Sequence, residues 1–117
     1  MTARRRPPNR RASETFSFCW LGLRFTATIA HFDDGALAEV FLTNGKVNSQ
    51  ADTTARDSAV VGSLALQFGA PLDTIRGALL RDTQGEPSSP LGAAVARCAT
   101  TRDSEKRARL LRRLMLK

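Results

Sequence analysis

The chain changes its hydrophobic period at Asn44-Gly45-Lys46, and that change divides its fold. Before it, apolar residues recur at every second position. Phe16, Phe18 and Trp20 alternate with Ser17 and Cys19, and Leu23, Phe25, Ala27, Ile29 and His31 alternate with Arg24, Thr26 and Thr28. A period of two belongs to a strand with one buried face, and the aromatic and β-branched content fits it. Leu21-Gly22 and Asp33-Asp34-Gly35 reverse the chain, and Ala38 to Thr43 returns as a third strand. Three strands alone bury too little, so one face of this meander needs a cover.

After the change, apolar residues recur at helical spacing. Ser49 stands three residues before Asp52, close to the spacing of a capping box. The helix it opens runs to about Phe68, with Val60, Val61, Leu64, Ala65 and Phe68 expected as its buried stripe. Gly69 suits a helix C-terminus, and Pro71 and Asp73 suit the start of a second helix that buries Leu72, Ile75 and Leu79. Asp82 to Ser88 reads as a loop, and Ser89-Pro90 as the cap and first turn of a short third helix over Leu91 to Cys98. The expectation is an α+β fold: a three-stranded antiparallel meander covered on one face by two helices, with a short third helix and a basic C-terminal helix. Residues 13–100 form the domain. Residues 1–12 are expected to be a disordered basic tail, and 101–117 a basic amphipathic helix edged by Leu110, Leu111, Leu114 and Met115.

The net charge of +7 is unevenly spread. Residues 1–12 carry +5 and residues 101–117 carry +5, whereas residues 13–100 carry −3. An acidic domain with two basic arms can meet a polyanion through the arms, which makes nonspecific nucleic-acid binding one reading. No apolar run approaches the roughly 18 residues of a membrane span. The basic N-terminus lacks the apolar stretch of a secretory signal. Cys19 and Cys98 form no paired motif, so a reduced, cytoplasmic protein without metal or cofactor is expected.

Few residues offer chemistry. His31 has no Ser or Cys partner legible in the sequence, and Asp33-Asp34 followed by Gly35 reads as a turn. The segment Asn44 to Ser49 is where a small anion or nucleotide could sit. Gly45 admits a close backbone approach, Lys46 brings charge, and Ser49 opens a helix whose free N–H groups point outward. The candidate anion-binding residues are therefore Asn44, Gly45, Lys46 and Ser49; the glycine spacing of a P-loop is missing.

Taken in order, the strand AEVFL, the Gly45-Lys46 turn, the run from Asp57 reading DSAVVGSLALQ and the run from Gly69 reading GAPLDTIR resemble the TSCPD domain family. The resemblance spans roughly Phe16 to Gly92. That domain closes cobalamin-dependent ribonucleotide reductases and also occurs as short stand-alone bacterial proteins. The nearest counterpart of its naming motif is Ser88-Ser89-Pro90-Leu91-Gly92, which lacks the cysteine and the aspartate. The resemblance implies an accessory or regulatory module of deoxyribonucleotide synthesis, non-catalytic alone, whose partners would be a reductase, another protein or a second copy.

Overall fold

A computed structural model describes residues 3–98 and 109–115. Three strands, β1 (Ser13–Trp20), β2 (Leu23–His31) and β3 (Leu37–Asn44), form one antiparallel sheet in the order β1-β2-β3. The first reversal has both Leu21 (φ 48°) and Gly22 (φ 74°) in the left-handed region, the geometry that matches strand twist in a two-residue hairpin. Three helices follow: α1 (Gln50–Gln67), α2 (Leu72–Ala78) and α3 (Pro90–Ala96). Residues 109–115 are also helical, and their exposed side chains include Leu110, Leu111, Leu114 and Met115. The rest of the expected C-terminal helix lies outside the described residues.

The alternation read from the sequence sets the sheet's two faces. Phe18, Phe25, Ala27 and Ile29 are buried, as are Val40 and Leu42 of β3. The opposite face is rich in hydroxyls, and Thr15 and Thr28 bond across the β1–β2 pair at 3.0 Å. Helix α1 lies along the outer edge of β3, and α3 touches α1, α2 and β1. Leu72 of α2 enters the core, with Ile75 and Leu79 packed on it. Arg76 of α2 caps α3: its guanidinium donates to the carbonyls of Val95 (3.0 Å), Ala96 (3.2 Å) and Cys98. A cation on the last carbonyls of a helix meets the negative end of its dipole.

The buried stripe of α1 differs from the expected one. Val60, Val61, Leu64 and Phe68 are exposed, and Ala55, Ala59, Ser63 and Leu66 face the sheet, together with Asp52 and Gln67. The cause lies in β3, an edge strand whose outward N–H and C=O groups need partners. Ser63 Oγ accepts from Val40 N–H at 2.9 Å and donates to the Val40 carbonyl at 3.0 Å. Gln67 Nε2 donates to the Ala38 carbonyl at 3.2 Å, and Asp52 Oδ1 accepts from Asn44 N–H at 2.9 Å. Four helical residues advance about 6 Å and two strand residues about 6.8 Å. Ser63 and Gln67 therefore keep step with Val40 and Ala38 as helix and strand run antiparallel. Alanine at 55 and 59 lets the two backbones come close enough for such short side chains to reach.

The N-terminal segment also departs from the expected disorder. Arg5 N–H donates to the Gln67 carbonyl at 2.7 Å, and Arg4 Nε donates to Gln67 Oε1 at 2.7 Å. The Arg5 guanidinium sits 3.9 Å over the Phe32 ring and 3.1 Å from Asp34. Arg11 meets Glu39 at 2.5 Å, and the Ala12 carbonyl accepts from His31 N–H. No apolar anchor was visible in this segment; its arginines anchor it, on an acidic domain and at the carbonyl end of α1.

Candidate functional site

The loop from Asn44 to Ser49 is brought together much as its spacing suggests, but a group of the protein itself occupies its centre. Asp52, one turn into α1, is buried and turns its carboxylate back into the loop. Oδ1 accepts from Asn44 N–H and Oδ2 from Asn48 N–H at 3.1 Å. These backbone donors hold the Asp52 carboxyl below the usual carboxylate range, and Arg56, 3.6 Å from Oδ2, adds to the effect. Three further N–H groups of the loop are also used. Gly45 N–H meets the Arg24 carbonyl, Lys46 N–H meets Asn44 Oδ1, and Ser49 N–H meets the Lys46 carbonyl. Ser49 Oγ caps α1 by accepting from Asp52 N–H at 3.1 Å, as its position before the helix predicts. Asn48 takes the left-handed conformation, φ 62°, that turns its N–H toward Asp52. Of the four residues picked from the sequence, Asn44 and Ser49 are structural here; Gly45 and Lys46 remain exposed.

Asp34 accepts from Ala36 N–H and from Arg5, so its carboxyl lies below the usual range, chiefly through the Ala36 bond. It belongs to the turn expected there. His31 ends β2 at a register shift. Cys98 is buried, and burial pushes its thiol up to about 11, which leaves it protonated and inert at neutral pH. Cys19 is exposed, and neither cysteine is in a disulfide. Among the described residues, no three His, Cys, Asp or Glu side chains gather as a metal site, and no helix is long and apolar enough to cross a membrane.

The surface feature that sequence reading missed is a cleft of about 380 Å³ between β3 and α1. Val60, Ser63 and Leu64 line it from α1 and Phe41 from β3. Arg4 and Arg56 also line it. Its volume falls within the range of small-molecule sites, though it is open along one side. Its signal in the sequence is the apolar row on α1, which helical periodicity assigns to the core. Only the inward turn of Ser63, Asp52 and Gln67 puts that row outside. Comparison with protein-family models, curated proteins and solved structures returns no match.

Proposed function

We propose that the chain is a partner-binding module, non-catalytic by itself, that serves an accessory or regulatory role in deoxyribonucleotide synthesis. The sequence resemblance to TSCPD domains supplies the pathway. The observation that carries the binding role is the apolar row left in solvent on α1. Phe68 is 43% exposed and Val61 67%, on the same helix as Val60 and Leu64. A row of large apolar side chains in water is costly unless a partner covers it. The loop at Asn44 to Ser49 ranks second as a contact, because its N–H groups largely serve Asp52 and its neighbours. A purified cobalamin-dependent ribonucleotide reductase tests the reading. The chain is expected to bind it and to change its turnover, and to turn over no ribonucleotide alone. No binding and no change in turnover would defeat the proposal.

Nucleic-acid binding is the second reading, and one observation favours a particular form of it. Arg4, Arg5 and Arg11 are engaged with the domain, whereas Arg109, Arg112 and Arg113 stand exposed on the C-terminal helix. Affinity of this kind falls steeply with salt. It is expected to disappear when residues 101–117 are removed and to survive removal of residues 1–12.

A further inference from the structure

We propose that the cleft between β3 and α1 binds an extended peptide segment with an apolar middle and an acidic group at each end, about five residues apart. The inference rests on the reading of the chain as a partner-binding module and adds where the partner docks and what chemistry it brings.

The spacing comes from the two places along α1 where the arginines are held. Arg56 lies on α1, and Arg4 is fastened to Gln67, eleven residues further along the same helix. At 1.5 Å per residue the two anchor points are about 16 Å apart. An extended chain covers that distance in about five residues. The cleft is lined mainly by apolar side chains, among them Val60 and Leu64 of α1 and Phe41 of β3. Val60 is 54% exposed and Phe41 51%, so both have area left to bury.

The charged residues lining the cleft leave a positive balance, Arg4 and Arg56 against Glu39. Glu39 lines it but is paired with Arg11 at 2.5 Å. Arg56 is ion-paired with Asp52 at 3.6 Å through Nη1, but its side chain is half exposed and among the described residues its other nitrogens bond nothing. Arg4 uses Nε on Gln67, and among the described residues its terminal nitrogens bond nothing. A planar guanidinium fixed through Nε still presents two donors suited to a carboxylate. A nucleic-acid strand fits less well. It carries a charge at every residue and would lay phosphates over Val60 and Leu64.

The test uses the full chain and a fluorescein-labelled eight-residue peptide with glutamates at its second and seventh positions and leucine and phenylalanine between them. Anisotropy is expected to saturate. A peptide of the same composition with its glutamates adjacent should bind about fivefold more weakly or worse, and one with lysines in place of the glutamates should not saturate. Val60→Asp should weaken the first peptide by about tenfold and Arg56→Gln by about fivefold, with circular dichroism unchanged because both side chains are exposed and glutamine puts no second carboxylate beside Asp52. Failure of the first peptide to saturate, or affinity unchanged in both variants, would overturn the proposal. So would a charge-matched oligonucleotide that displaces the peptide and binds the Val60→Asp variant as tightly as the parent. Reductase binding that persists in both variants would sink the cleft and leave the proposed function standing. Peptide binding without reductase binding would do the reverse.

Discussion

Replacing Ser63 with alanine gives the sharpest test of how α1 is held to the sheet, because two effects of opposite sign compete. Alanine is the better helix former by about 0.5 kcal/mol, so an exposed serine at this position would be improved by the change. Ser63, however, is buried and serves both the N–H and the C=O of Val40 on the outer edge of β3. Removing the hydroxyl deletes two bonds worth about 1 kcal/mol each and strands two buried backbone groups, each at a cost of about 1–3 kcal/mol if nothing replaces the bond. Ser63 borders the cleft, so water entering there would set the lower limit. After the helix gain is subtracted, Ser63→Ala should destabilise the protein by about 1–5 kcal/mol, the lower end where water replaces the bonds, or lower Tm by at least roughly 5 °C for a domain of this size. Urea melts followed by circular dichroism measure it, with the midpoint shifting at unchanged slope. Ser63→Cys, a weaker donor and acceptor, should fall between parent and alanine variant. An alanine variant as stable as the parent, or more stable, would refute the view that polar side chains of α1 complete the sheet edge.

The exchange of stripes on α1 makes a paired prediction. Val61→Lys should change stability by less than about 0.5 kcal/mol, whereas Ala59→Leu should cost about 2 kcal/mol or more by wedging helix from strand; reversed results in the same melts would restore the apolar row to the core. The lowered Asp52 carboxyl contributes stability that is fully present above the unfolded-state value near 3.8 and is lost as pH falls through its lower folded value. Asp52→Asn should therefore weaken the fold at pH 7 and flatten the acid limb of a stability–pH curve, and an unchanged limb would count against it. The docked N-terminal segment predicts slow tryptic cleavage at Arg4 and Arg5 in the parent and faster cleavage in Gln67→Ala, followed by mass spectrometry; equal rates would return the segment to an unstructured tail.

The strands were legible because their information is local. Phe16, Phe18 and Trp20, and Phe25, Ala27 and Ile29, alternate with polar residues, and an antiparallel sheet turns that alternation directly into two faces. The turns at Leu21-Gly22 and Gly35, and the caps at Ser49 and Ser89, were legible for the same reason: each acts on backbone within a few residues. The candidate anion loop was legible as a loop. Its filling by Asp52 was less so, because an acid three residues after a cap reads first as the second half of a capping box.

By itself, then, the sequence determined the α+β class, the order of the elements and most of their ends, since each follows from periodicity, turn chemistry and caps. Tertiary structure alone decided which face of α1 lies inside. Hydrophobicity favours Val60, Val61, Leu64 and Phe68 for the interior. The unpaired edge of β3 instead selects Asp52, Ser63 and Gln67, because unmet buried backbone groups cost more than exposed methyl groups. Those backbone groups belong to another element, so no window along α1 contains them. The same choice leaves the apolar row facing solvent and opens the cleft beside it.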